Sequence, residues 1–279
     1  MNKSMKPVSF ESSSGNTLRG VIHLSEQLKL GAVLLPGLVG NRVGPHRILY
    51  DIANLLSENG ISAFRCDLSG TGYSDGDNKT VTIKDLMRDA KDIMDYMEKE
   101  YNIREFILGG ICRGSKIAIG TSLADPRVKY LMLLSCPRLE GGSIKEKNAR
   151  RKKEHLKKYI VKLFSPNWIP RLFRGDINFN LIYKSIFRPL NKDALNLLEL
   201  ENKSVDFQQF TSSTIFIYGE DDPDFEDSVN YYKNKLVNYN DKVTLNIVPG
   251  ANQGFYRMDW HESVLNYIHE WWNIQSNNQ

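Results

Sequence analysis

The residues best suited to chemistry form the pentapeptide Gly110-Ile111-Cys112-Arg113-Gly114. An apolar run at 105–109 precedes it, and a helix-forming run at 115–120 follows it. This order predicts a strand, a sharp turn and a helix, with a nucleophile at the apex and glycines that let strand and helix approach closely. The amino end of the helix points its free N–H groups at the sulfur, so we expect it to favour the Cys112 thiolate. The alternative interpretation is a buried cysteine beside two unrelated glycines.

The segments around the pentapeptide alternate between strand-like and helix-like patterns. Apolar runs at 32–35 and 61–67 predict two buried strands, and the first of them ends in a turn at 36–40. Apolar residues at helical spacing predict a helix around 48–56 and a longer one from about Ile83 to Tyr101. Strands that alternate with helices of this length imply a parallel sheet covered on both faces.

Together these motifs resemble those of the α/β-hydrolases, in the branch that contains small esterases, acyl-peptidase-like hydrolases and thioesterases. The resemblance extends from about Val8 to Trp272. It implies an α/β-hydrolase fold, with a mostly parallel eight-stranded sheet, helices on both faces and a helical lid insertion. A shorter segment at 40–47, taken with the cysteine at the turn, is similar to hydrolases associated with exosortase systems.

The resemblance also implies roles for residues outside the pentapeptide. The family's acid follows the next strand in a Gly-x-x-Asp turn, and 219–222 matches this turn, with Asp222 as the acid and Asp221 as the fallback. The oxyanion hole is implied at the backbone N–H groups of Arg113 and Leu38. The alternative for 219–222 is a surface turn rich in turn-forming residues.

The general base that the resemblance implies is missing from this chain. A strand-like run at 243–248 leads into Pro249-Gly250-Ala251-Asn252-Gln253-Gly254-Phe255, where relatives read Pro-Gly-Ala-x-His-x-Phe. Gln253 therefore stands in the place of the catalytic histidine, and an amide cannot accept a proton at neutral pH. His46, in the loop after an early strand, is a candidate replacement base. We expect the other four histidines to be surface or packing residues.

These residue types favour acyl transfer over fast hydrolysis. A thiolate can attack an activated ester or thioester without an adjacent base, whereas water must be deprotonated to resolve the acyl-enzyme. We therefore expect an acyltransferase, or a slow esterase or thioesterase, with Cys112, Asp222 and Gln253 in its site and no cofactor or metal. The alternative is a binding protein with this fold that has lost its chemistry, because the glycines of the turn are needed for folding in either case.

The segment between the strand-like runs 128–134 and 214–218 breaks the alternation of strands and helices. Residues 138–210 predict a helical lid inserted into a core formed by 1–137 and 211–279. Between Arg138 and Asp176 there are 12 Lys and Arg residues but only 4 Asp and Glu residues, although the whole chain has a net charge of only +4. The positive charge is therefore concentrated in the insertion.

Three interpretations of this basic segment are open. It is a solvated face whose apolar stripe packs on the core, a docking surface for an acidic partner, or a helix at a membrane surface. An acidic partner here means a carrier protein, the phosphates of coenzyme A or an anionic substrate. Nucleic acid is not expected, since no recognition module accompanies the charge. Three cysteines without a regular spacing, no long apolar run and no amino-terminal targeting pattern predict a reduced, cytoplasmic protein.

Overall fold

The centre of the molecule is an eight-stranded sheet, seen in a computed structural model that describes residues 4–27, 29–37, 40–139, 211–236 and 242–277. The strands are β1 (Ser4–Glu11), β2 (Thr17–Leu24), β3 (Leu30–Leu35), β4 (Ser62–Asp67), β5 (Glu105–Ile111), β6 (Val128–Leu134), β7 (Ser213–Gly219) and β8 (Val243–Val248). They lie side by side in the order β1-β2-β4-β3-β5-β6-β7-β8. β2 pairs antiparallel with β1 and β4, and every other pair is parallel. The predicted α/β-hydrolase fold class is confirmed.

The central strands are continuous apolar runs because both faces of the sheet are covered. In β3, Val33 and Leu35 point into one hydrophobic cluster, while Ala32 and Leu34 point into the other. All six residues of this strand are buried. The sequence pattern 32–35 thus reflects a strand that contacts helices on both sides.

The described residues form five α-helices, which lie on the two faces of the sheet. They are α1 (Ile48–Glu58), α2 (Ile83–Tyr101), α3 (Arg113–Ala124), α4 (Phe225–Lys235) and α5 (Met258–Asn277). Apolar residues of α2, α3 and α4 belong to one cluster, and those of α1 and α5 belong to the other. α2 begins at a capping box between Thr82 and Asp85, and Asn102 ends it in the left-handed conformation. These local signals explain why the predicted bounds of α2 agree with the structure.

The predicted lid at 138–210 lies outside the described residues, apart from Arg138 and Leu139. Its helical structure and its role as an insertion therefore stay predictions. In the part of the chain that the structure describes, no helix is both long enough and apolar enough to cross a membrane.

Candidate active site

Cys112 occupies the turn between β5 and α3, the elbow, with backbone angles of φ 54° and ψ −112°. A residue with a side chain rarely adopts a positive φ, so the surrounding structure must hold it there. The Cys112 N–H donates to the carbonyl of Leu134 over 2.9 Å, and the Ser115 N–H donates to the carbonyl of Cys112 over 3.1 Å. The Ser115 hydroxyl also lies 2.7 Å from the carbonyl oxygen of Gly110. Strand β6 and the first turn of α3 together fix the backbone that carries the sulfur.

The two glycines of the pentapeptide are required by close packing. A Cβ atom on Gly114 would overlap the backbone carbonyl of Leu35 at the end of β3. A Cβ atom on Gly110 would overlap the backbone of Gly114. The start of α3 therefore lies directly against the sheet, as the spacing of glycines in the sequence predicts.

The thiol of Cys112 is less acidic than the sequence suggests. Burial raises its pKa to about 11, even though the backbone N–H of Arg113 favours the thiolate. The carboxylates of Asp222 and Asp224 raise this pKa as well, and Lys116 lowers it. Roughly one molecule in ten thousand is then a thiolate at pH 7. The start of α3 therefore favours the thiolate through the Arg113 N–H, but desolvation of the charged sulfur outweighs this donor and the net shift of the pKa is upward.

Gln253 lies beside the sulfur, at the position where the sequence resemblance predicts a histidine. Its Nε2 atom is 3.6 Å from Cys112 Sγ, a contact in which the amide donates a hydrogen bond to sulfur. This donor can orient the thiol and favour negative charge on it. It cannot remove the proton, because an amide has no basic lone pair on nitrogen at neutral pH.

Ser135 is a supporting residue that sequence reasoning missed. It directly follows β6, adopts a φ of 43° and donates its hydroxyl to the backbone carbonyl of Gln253 over 3.1 Å. Its N–H donates to the carbonyl of Ile217 over 2.8 Å. The signal that could have identified it is its place in the sheet, since the carboxyl ends of neighbouring parallel strands lie at one edge. Ser135 therefore holds the Gln253 loop close to the elbow.

Asp222, the predicted acid, is a buried carboxylate in the turn after β7, whereas Asp221 is exposed. This turn is packed against the loop that carries Gln253. The Asp221 N–H donates to the carbonyl of Ala251 over 2.8 Å, and a Cβ atom on Gly219 would overlap the same carbonyl. The acid turn and the Gln253 loop are thus held together by their backbones.

Two predicted residues are not seen at the sulfur. Leu38 lies outside the described residues. The preceding Gly37 lies close to Cys112, since a Cβ atom placed on Gly37 would be 4.0 Å from the Cβ of Cys112. His46 is exposed, and its ring centre lies 5.7 Å from that of Tyr256. Among the described residues, no group of three or more His, Cys, Asp and Glu side chains is arranged to bind a metal ion.

The site can therefore present a thiol next to an amide donor, a buried carboxylate and the Arg113 N–H. Residues 43–189, more than half of the chain, match the sequence model of the family described as serine aminopeptidase, S33. The match includes the Cys112 elbow and ends before Asp222 and Gln253. No curated protein sequence matches the chain.

Solved structures with the same fold cover nearly the whole chain. The α/β-hydrolase GrgF from Penicillium sp. sh18 is 21% identical, with a TM-score of 0.60 over 96% of this chain and 97% of that one. The Pyrococcus furiosus esterase PF2001 is 17% identical, with a TM-score of 0.66 over 96% and 90% of the two chains. Est1E from Butyrivibrio proteoclasticus, solved with ferulic acid, is 17% identical, with a TM-score of 0.59 over 94% and 98%. The similarity of these structures supports the fold, and the family match over more than half of the sequence shows that this protein belongs to the serine aminopeptidase S33 family, an enzyme of the α/β-hydrolase type.

Proposed function

We propose that the protein is an acyl-transfer enzyme that forms a covalent thioester at Cys112 and passes the acyl group to an amine or thiol faster than to water. The observation that carries this proposal is the contact of 3.6 Å between Gln253 Nε2 and Cys112 Sγ. An amide donor occupies the position of the base, so the site supports the nucleophile without a group that activates water.

A thioester donor suits this site better than an oxygen ester. In the exchange, Cys112 sulfur bonds to the carbonyl carbon, the bond from that carbon to the donor sulfur breaks, and the proton lost by Cys112 ends on the departing thiolate. No net proton acceptor is needed. A departing thiolate is the conjugate base of a thiol with a pKa of about 8.5, whereas an alkoxide needs a general acid, which Gln253 cannot be.

The oxyanion of the tetrahedral intermediate is expected at the backbone N–H of Arg113. This N–H favours negative charge on the Cys112 sulfur, which supports its assignment as a donor to the oxyanion. A fixed N–H donor in a site shielded from water stabilises developing charge strongly. Together with Gln253, it gives the site two donors for anionic species.

Resolution of the acyl-enzyme is expected to depend on the acceptor. An amine or thiol acceptor can present a nucleophilic lone pair or thiolate of its own, but water needs a base to remove its proton. Hydrolysis is therefore the slow branch. A second candidate function, a binding protein without turnover, is favoured by the burial of the Cys112 thiol, which raises its pKa to about 11.

Intact-mass measurement with a short acyl thioester, acetyl-N-acetylcysteamine, tests the proposal. We expect one acetyl adduct on the folded protein, no adduct on Cys112→Ala, and faster loss of the adduct when an amine or thiol is added. Cys66→Ala is the matched control and should keep the adduct, because burial holds the pKa of Cys66 well above its usual value. An adduct that survives in Cys112→Ala, or a wild type that stays unmodified while iodoacetamide alkylates Cys112, rejects the proposal in favour of the binding protein.

Gln253→His is expected to convert slow resolution into hydrolysis. An imidazole in hydrogen-bond contact with Cys112 supplies the missing base, and positioned acid–base catalysis contributes ~10²–10⁴-fold. Release of acetate from the acyl-enzyme measures the effect, and Gln253→Met, which has neither base nor donor, is the control. If Gln253→His hydrolyses the acyl-enzyme no faster than wild type, another residue already acts as the general base. Loss of activity in His46→Ala would then identify His46 as that base.

A further inference from the structure

The side chain of Arg113, the residue that follows the nucleophile, is buried, and two of its nitrogens find no hydrogen-bond partner among the described residues. It is only 2% exposed, and among the described residues nothing accepts a hydrogen bond from its Nε or Nη2 atom. These two nitrogens form the edge of the guanidinium whose N–H bonds are parallel, the edge that pairs with a carboxylate through two hydrogen bonds. A buried, unpaired guanidinium destabilises the folded protein, so its presence beside the nucleophile calls for a ligand.

The charge on Arg113 is present at neutral pH and interacts with the nucleophile. Burial lowers the pKa of Arg113 to about 10, and the interaction with the Cys112 sulfur opposes this shift. The guanidinium therefore stays protonated at pH 7, within electrostatic range of the sulfur.

Arg127 is a useful comparison, because it is an arginine with a structural role whose charge is compensated by carboxylates. It is ion-paired with Asp95 at 2.7 Å, with Glu98 at 2.6 Å and with Asp125 at 2.6 Å. Those carboxylates compensate for its partial burial. Arg113 is more deeply buried, and within the described part of the chain its guanidinium interacts electrostatically with the sulfur of Cys112 and with no carboxylate.

We propose that Arg113 binds a carboxylate carried by the acyl group of the substrate, so that the acyl donor is a half-thioester of a short dicarboxylic acid. This inference rests on the proposed function for the position of the acyl group at Cys112. The backbone N–H of Arg113 favours negative charge on the sulfur, and its guanidinium interacts electrostatically with the same sulfur, so we assign the carboxylate to the far end of a short acyl chain on Cys112. The unfilled Nε and Nη2 edge supplies the two parallel donors that a carboxylate needs.

A binding experiment without turnover tests this site directly. The probe is monomethyl glutarate, the comparison compounds are dimethyl glutarate and inorganic phosphate, and the protein is Cys112→Ala, in which acylation cannot occur. We expect monomethyl glutarate to raise the thermal midpoint of Cys112→Ala and dimethyl glutarate to leave it unchanged. Adding Arg113→Met should abolish the rise, while adding Arg88→Met, which removes an exposed arginine paired with Asp85, should keep it. A rise that survives Arg113→Met, or one produced by phosphate alone, overturns the proposal.

Stability of the unliganded protein separates a ligand site from a structural role. Arg113→Met removes an unpaired buried charge and should leave the thermal midpoint unchanged or raise it. Arg127→Met breaks three ion pairs and should lower it. If Arg113→Met lowers the midpoint as much as Arg127→Met does, Arg113 supports the fold and the proposal fails.

Acylation rates complete the test. Glutaryl- and pentanoyl-N-acetylcysteamine differ in the terminal carboxylate, and wild type should acylate Cys112 faster with the glutaryl compound. Arg113→Met should lower the glutaryl-to-pentanoyl rate ratio by about tenfold or more, with Arg113→Lys in between. Carboxylate binding without any Cys112 adduct would reject acyl transfer but keep the binding site, whereas acylation with equal rates for the two compounds would reject the binding site but keep acyl transfer.

Discussion

At the scale of single residues, Cys112 and Gln253 limit the chemistry of the site. The sulfur is a stronger nucleophile than a serine hydroxyl, but its pKa of about 11 keeps it protonated at neutral pH. The Gln253 amide, 3.6 Å away, donates to the sulfur and accepts no proton from it. Reaction therefore depends on the small thiolate fraction, or on a partner that takes the proton during exchange.

The pH dependence of alkylation follows from this pKa. Because only the thiolate reacts and the pKa is raised, the rate of Cys112 modification by iodoacetamide should rise about tenfold per pH unit between pH 7 and 10. Mass spectrometry of the Cys112 peptide from folded protein measures the rate. Cys66 and Cys136 should react more slowly, since both are buried and both have raised pKa values. A rate that levels off near pH 8.5 contradicts the burial effect.

At the scale of elements, the site depends on how closely α3 starts against the sheet. β5 and α3 meet at Cys112, and the end of β3 lies against Gly114. The Gln253 loop is fixed from the other side by the hydroxyl of Ser135 after β6. Strand ends and one helix start therefore set the positions of the sulfur and the amide.

Alanine substitutions at two glycines test how tightly the start of α3 packs against the end of β3. Gly114→Ala places a Cβ atom onto the Leu35 carbonyl, and overpacking of this kind should lower the free energy of unfolding by about 1–3 kcal/mol. Gly37→Ala is the control, because its Cβ lies 3.6 Å from the carbonyl of Ile111, an ordinary contact. The control should change stability by less than about 0.5 kcal/mol. Urea unfolding of both variants measures the difference, and equal values would show that α3 can move away from β3 at little cost.

For the molecule as a whole, charge is distributed unevenly along the chain. The segment 138–176 contains 12 basic and 4 acidic residues, while the entire chain has a net charge of +4. Everything outside this segment is therefore net acidic. The three interpretations of this segment, a solvated face, a docking surface for an anionic carrier of the acyl group and a membrane-surface helix, stay predictions, because residues 140–210 lie outside the described part of the chain.

Reversing charges in the basic segment tests whether it docks an anionic carrier of the acyl group. The double substitution Lys157→Glu and Lys158→Glu should slow acylation of Cys112 by a coenzyme A thioester, and the difference from wild type should shrink as salt rises, since exposed charges are screened over about 8 Å at physiological ionic strength. Acylation by neutral acetyl-N-acetylcysteamine should stay the same. If both donors slow equally, or neither does at any salt concentration, the segment is a solvated face.

Local patterns in the sequence were sufficient for α2, for β8 and for the turn that carries Cys112. The bounds of α2 and β8 agree with the predicted ones because a capping box and an apolar run are properties of neighbouring residues. The two glycines identify the elbow, since the chain can bring a strand and a helix this close only without side chains.

Tertiary structure decided the electrostatics of the site. The pKa of Cys112 depends on how much water reaches the sulfur. Ser135 anchors Gln253 from a distant part of the chain, and only the packed structure reveals that the Nε and Nη2 atoms of Arg113 are buried without a hydrogen-bond partner among the described residues. The helix amino end next to Cys112 can be read from the sequence. The burial that outweighs the effect of this helix end on the thiol cannot be read from the sequence, because the desolvation of the sulfur depends on all the atoms that pack around it.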